Sequence, residues 1–110
     1  MSMKVLAVVD DMFFASKIRA VAEGVGVEIS FPRTKESLIE KAREAKLVIV
    51  DLHSQKIDPL SLPAELGDVR LLGFFSHVEV ELQRNALAAG YHQVIPRSVF
   101  SRDLAQILAI

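Results

Sequence analysis

Apolar residues in this chain gather into short unbroken runs, separated by stretches with helical spacing. Val5-Leu6-Ala7-Val8-Val9 and Leu47-Val48-Ile49-Val50 are two such runs. A run that is apolar on both faces of the pleat predicts a strand buried on both sides, as in a parallel sheet. The first predicted strand covers residues 4–9 and the third covers 47–50. Residues 27–31, 70–75 and Val94-Ile95 predict strands 2, 4 and 5. Between the strands, Phe14, Ile18, Val21 and Ala22 form one stripe over residues 12–23, with Gly24 as its stop. Leu38, Ile39, Ala42 and Ala45 form another behind Thr34 as N-cap, and Leu82, Ala86, Leu87 and Ala89 a third over 78–89, ended by Gly90. Ser101 is placed to cap a last helix carrying Leu104, Ile107 and Leu108. The irregular stretch through Asp58-Pro59 and Pro63 predicts at most a short helix over 60–66. The alternation predicts an α/β fold, a doubly wound five-stranded parallel sheet with helices on both faces.

Composition narrows the class. A chain of 110 residues, 51% apolar, is one domain with ample core and is too apolar for a disordered segment. With 13 basic and 14 acidic side chains there is no net-charge case for nucleic acid or a membrane surface. No apolar run approaches the roughly 20 residues that span a bilayer. Met1-Ser2-Met3-Lys4 runs straight into the first strand without a signal-peptide layout. The absence of cysteine excludes disulfides and thiol chemistry and fits a cytoplasmic protein.

The candidate chemistry lies where two strands end in acid: Asp10-Asp11 after the first and Asp51 after the third. Binding sites of open α/β sheets form beyond the carboxyl ends of the strands. If these strands are neighbours, three carboxylates meet, and their mutual repulsion calls for a divalent cation. Asp10-Asp11 equally suits a helix N-terminus, where the dipole favours acids. A Gly-rich dinucleotide turn is excluded, because Asp10-Asp11-Met12 occupies its place and carboxylates repel phosphate. An aspartate-nucleophile phosphatase would need a second Asp two residues after the first, but Met12 and Phe13 follow the pair. Phe13 and Phe14 are both assigned to the core, with Phe13 turned about 100° from Phe14 toward the strand ends, where an exposed ring would instead point to a partner contact or a lid.

With Ser76 at the end of the fourth strand, Asp10, Asp11 and Asp51 make the chain resemble, over essentially its whole length, the receiver (CheY-like) domain of two-component response regulators. The resemblance implies strand order 2-1-3-4-5 and a single receiver-like domain over residues 1–110 with no output domain. It implies that Asp51 accepts a phosphoryl group from a histidine kinase or phosphotransfer protein. Mg²⁺ would be held by Asp10, Asp11, Asp51 and the backbone carbonyl of His53. Ser76 would donate a hydrogen bond to the phosphoryl oxygens. Arg97, seven residues after Gly90, would supply positive charge where the family has Lys. Signals would pass to a protein partner through the helix 4–strand 5–helix 5 face, and a homodimer is a further expected assembly. The chemistry would be confined to phosphorylation and dephosphorylation of Asp51, with no metabolic reaction.

Several positions depart from the family pattern. Ser98 stands where a cis-Pro is usual and Pro96 precedes Arg97, so an alignment moved by two residues puts Pro96 in that slot instead. His77 replaces a small residue after Ser76, Val94 replaces a switch aromatic, and Leu52-His53-Ser54-Gln55-Lys56 lacks the usual Pro and Gly. These departures support an alternative, a degenerate pseudo-receiver that binds partners without phosphorylation. Ser76 also suits a cap of helix 4, Arg97 an ordinary ion pair, and His53 and His92 loop positions. A third reading, an enzyme or small-molecule binder on a flavodoxin-like core, would need an apolar pocket beside the strand ends.

Overall fold

Both faces of the apolar runs are covered. The computed structural model describes residues 4–76 and 79–109, and His77 and Val78 lie outside them. The strands β1 (Lys4–Val8), β2 (Glu28–Ser30), β3 (Ala45–Asp51), β4 (Arg70–Phe75) and β5 (Gln93–Pro96) form one parallel sheet in the order β2-β1-β3-β4-β5. The helices are α1 (Met12–Gly24), α2 (Lys35–Ala42), α3 (Leu62–Leu66), α4 (Val80–Ala89), α5 (Arg97–Arg102) and α6 (Leu104–Leu108). A 3-10 turn, Pro59–Ser61, leads into α3, so the short helix expected over 60–66 is present.

Alternate residues of the central strands feed two cores. Leu6, Val8, Val48, Val50 and Leu71 pack with Leu38, Leu62 and Ala86 on one face. Val5, Ala7, Leu47, Ile49 and Leu72 pack with Phe14, Ile18, Leu104 and Leu108 on the other. Because side chains alternate across a strand, one continuous apolar run serves both faces. Phe14, Phe74 and Phe100 form an aromatic trio in the second core. The Phe74 and Phe100 rings stack at 4.6 Å, and Phe14 meets them edge-on at 5.5 and 5.9 Å. Each such pair adds about 0.5–1.5 kcal/mol beyond its area term.

Four expectations are corrected. Ala45, expected on the apolar face of α2, is the first residue of β3, because α2 ends at Ala42. Ser101 caps no helix: α5 already starts at Arg97 behind Pro96, and the chain kinks at Asp103 before α6. Among the four α4 residues expected inward, Ala86 is buried and Leu82 packs partly, whereas Leu87 is 47% exposed and Ala89 lies at the surface. A ten-residue helix that buries one narrow stripe leaves its flanks wet. Phe13 is 91% exposed beside Met12 at 74%, because the stripe that buries Phe14 and Ile18 turns the preceding residue outward. Among the described residues no helix is long and apolar enough to cross a membrane.

Gly90 ends α4 with φ of +124°, and its N–H donates to the carbonyls of Ala86 and Leu87. A Cβ there would lie 2.8 Å from Pro63 Cβ, closer than carbon atoms pack. The substitution Gly90→Ala should therefore cost about 1–3 kcal/mol of unfolding free energy, measured by urea denaturation with unchanged m value.

Candidate functional site

The register sets the site. Val8 of β1 pairs with Val50 of β3, so Asp10 and Asp51 leave the sheet at the same end. Asp51, last residue of β3, is 8% exposed, and its Oδ1 accepts from the backbone N–H of His53 at 2.9 Å. Its Oδ2 carries no hydrogen bond among the described residues. Leu52 follows, donating its N–H to the Phe74 carbonyl and lying over Gly73 of β4, where an added Cβ would come within 3.0 Å of it. This anchor fixes the loop that carries Ser54 and Gln55. Ser54 Oγ donates to Asp10 Oδ1 at 2.9 Å, and Gln55 N–H donates to Asp10 Oδ2 at 2.8 Å.

Asp11 is the N-cap of α1. Its Oδ1 accepts from the N–H groups of Phe13 and Phe14 at 2.9 and 3.2 Å, the usual role of an acid at a helix start. Its Oδ2 faces Arg97 Nη2 at 3.3 Å. The Arg97 guanidinium also lies over the Phe14 ring, 3.9 Å from the centroid. Arg97 is the first residue of α5, where a helix dipole disfavours a cation. The Asp11 carboxylate and the Phe14 face offset that disadvantage.

Burial pushes the Asp51 carboxyl above its ordinary range, assisted by the Asp10 charge and opposed by the His53 N–H and the charges of His53 and Arg97. Asp11 is held below its ordinary value, first by the Phe14 N–H and then by Arg97. The two acids are thus driven apart in proton affinity by their surroundings.

The expected site residues divide. Asp10, Asp11, Asp51 and Arg97 all lie at the carboxyl end of the sheet, Arg97 on Asp11 and the charges of Asp10 and Arg97 felt at Asp51, and Asp11 also caps α1. Ser76 is exposed and shares with Arg97 a cleft of about 350 Å³ between the ends of β4 and β5. It does not cap α4, which begins at Val80 behind Glu79 without a side-chain cap. His53 uses its N–H on Asp51, and its Nε2 lies 3.8 Å from Glu79 Oε2. His92 Nδ1 accepts from the Leu71 N–H and ties the β5 approach to β4. His77 falls outside the described residues.

The acids are not arranged as a ready cage for Mg²⁺. Among the described residues no three His, Cys, Asp or Glu side chains gather as metal ligands. Both Asp10 oxygens are taken by the loop, both Asp11 oxygens by its helix and Arg97, and the guanidinium already provides the cation. As placed, these side chains make no ready divalent-ion site, and the guanidinium of Arg97 stands at the mouth as the cation. Sequence reasoning did not find Ser54 and Gln55 as partners of Asp10. The one signal was the unusual composition of their loop.

Neither a protein-family model nor a curated protein sequence matches this chain. Solved structures do. It is similar to the signal receiver domain of a response regulator from Bermanella marisrubri, with TM-score 0.82 and 18% identity, covering 98% of this chain and 96% of that one. A CheY-like receiver domain protein from Methanospirillum hungatei gives TM-score 0.78 and 19% identity over 98% and 91% of the two chains. A response regulator from Burkholderia pseudomallei, solved with a phosphorylated aspartic acid, calcium ion and citrate, gives TM-score 0.73 and 20% identity over 96% and 71%. The fold of this chain is the receiver fold, with the strand order those domains share.

A carboxyl whose folded pKa is raised binds protons more tightly when folded, so its contribution to stability falls as pH rises through the interval above the unfolded value. Asp51→Asn keeps the acceptor for His53 N–H and removes the buried charge. Its stability advantage over the unmodified protein should be near zero at the acid end of that interval and grow as pH rises above it. Urea unfolding of both proteins across a pH series checks this, and an advantage that shrinks with pH would refute the buried-charge account.

Proposed function

We propose that this chain is a receiver module of two-component signalling, with Asp51 as the phosphoacceptor. The observation that carries the reading is the position of Asp51: a buried carboxylate at the end of β3, one oxygen held by the His53 N–H and the other without a hydrogen bond among the described residues, within reach of the charges of Asp10 and Arg97. In the step, Asp51 Oδ2 attacks the phosphorus of a phosphohistidine on a kinase or phosphotransfer protein. The P–O bond of an acyl phosphate forms, the P–N bond breaks, and the imidazole leaves with its electron pair and takes up a proton. Such transfers depend on positioning and on neutralising charge. Arg97 supplies that charge here, moving from Asp11 Oδ2 toward the new phosphoryl oxygens. Its planar fork suits two of them at once. Ser76, which lines the same cleft as Arg97, is the hydroxyl assigned to a third.

Asp10 is held by Ser54 and Gln55 and Asp11 by its helix and Arg97, so the positive charge in this step comes from the guanidinium. The calcium ion of the Burkholderia protein belongs to that protein, and the expectation of Mg²⁺ here becomes an arm of the test. Downstream, the surface of α4, β5 and the last helix, α6 with the short α5 before it, is the proposed partner face, and the exposed Val80 and Leu87 on α4 support it.

A second reading rests on the same closures. With Asp10 tied to Ser54 and Gln55, and Asp11 to Arg97, the pocket already holds one balanced state. That state suits an interaction module that works without phosphorylation.

Incubation with a phosphoramidate donor, followed by intact mass measurement, separates the two. The expected result is one phosphate adduct, absent in Asp51→Asn, that forms in excess EDTA at a rate close to that with Mg²⁺. Arg97→Gln should slow it about tenfold or more, as loss of a charge-stabilising donor does. An adduct that forms only with Mg²⁺ would reject Arg97 as the working cation. No adduct under either condition would leave the second reading in its place.

A further inference from the structure

Beside the acid pocket, on the far side of Asp10, a separate cavity opens between the ends of β1 and β2, the first turns of α1 and the loop after β3. We propose that this cavity binds a small aromatic phosphate, and that it does so independently of Asp51. The proposal goes beyond receiver chemistry: of the lining residues only Asp10 belongs to the acid pocket, and the cations Arg19, Arg33 and Lys56 play no part in it.

The cavity encloses about 180 Å³. Its floor is apolar, formed by Val8, Phe31 and Ile57, of which Val8 and Ile57 are buried in the core. Its rim carries three cations, Arg19, Arg33 and Lys56, against one acid, Asp10. That acid is already satisfied by Ser54 and Gln55. The rim is therefore positive by two charges in a chain whose formal net charge is −1. Arg33 and Lys56 have no hydrogen bond or ion pair among the described residues. Like charges held around a concave apolar floor repel one another, and an entering dianion relieves that cost. The guanidinium of Arg19 lies 4.9 Å from the Phe31 centroid, which leaves it oriented over the floor.

These features set the chemistry of the ligand. Two guanidinium groups and an ammonium around one opening match a phosphate, whose oxygens accept paired N–H donors. Arg19 already covers one face of the Phe31 ring, so the match to a flat apolar body rests on Val8, Pro32 and Ile57, and the volume admits a single ring. A phosphate alone would leave the floor wet, and a neutral ring would leave the rim unpaired. A phosphate monoester on one aromatic ring satisfies both.

The test is an NMR titration of the ¹⁵N-labelled full chain with phenyl phosphate at low ionic strength, with inorganic phosphate and phenol as separate arms. The expected result is saturable shifts of the Phe31, Arg33 and Lys56 amides with phenyl phosphate. Inorganic phosphate should bind about tenfold more weakly, and phenol should not saturate. Arg33→Gln and Lys56→Gln, both at exposed positions, should each weaken binding about fivefold without changing the unfolding midpoint. Asp51→Asn should bind as the unmodified protein does, so loss of phosphoacceptor activity and loss of this site are separable. The proposal is overturned if phenyl phosphate gives no saturable shift. It is equally overturned if inorganic phosphate or phenol alone binds as well, or if the double variant Arg33→Gln, Lys56→Gln binds unchanged.

Discussion

The parallel pairing of β1 with β3 is the constraint on which the molecule hangs. Five residue pairs, from Lys4–Ala45 to Val8–Val50, set one strand against the other, and in the four pairs from Val5–Leu47 onward every residue enters one of two cores. A slip of one residue would exchange the cores, turning Leu6, Val48 and Val50 to the face now filled by Val5, Leu47 and Ile49. Burial on both sides thus enforces the register strongly. The register in turn brings Asp10 and Asp51 out at the same level, so acids distant in sequence become neighbours as a by-product of core packing.

Gathering like charges at a sheet end has a cost that the chain meets locally. Arg97 pairs with Asp11, the loop after Asp51 hydrogen-bonds both Asp10 oxygens, and the His53 N–H serves Asp51. The aromatic trio stands behind this arrangement. Phe14 presents one face to Arg97 and its edges to Phe74 and Phe100, coupling the guanidinium to the second core. Arg97 is therefore held by two unlike attractions, one to a carboxylate that salt screens and one to a ring that salt affects less.

The fold was legible because its signals are long and repeated. The all-apolar runs of β1 and β3 can only be satisfied between two layers, and the stripe of Phe14, Ile18 and Ala22 has one helical solution. The acids were legible as strand-end residues for the same reason. What escaped was decided by contacts between distant residues. Nothing local in Ser54-Gln55 marks them as partners of Asp10, some 44 and 45 positions away. Likewise Arg97 follows a proline at the end of β5, and only the folded sheet reveals that it reaches α1. Ser101 and Phe13 misled for a simpler reason. A plausible cap residue and an apolar side chain are each compatible with two environments, and the tertiary structure chose the other one.

Gly73 shows how far the pocket's shape is settled elsewhere. It sits two strands from Asp10, in the middle of β4, and contributes no chemistry of its own. Yet the hollow left by its missing methyl group is the socket that seats Leu52. The segment running from Leu52 to Gln55 pivots on that socket like an arm on a bearing, and its free end grips Asp10. The gap between acid and loop is accordingly set by a volume in the interior, so evolution could loosen or tighten the mouth by changing one hydrogen to a methyl without touching any charged residue.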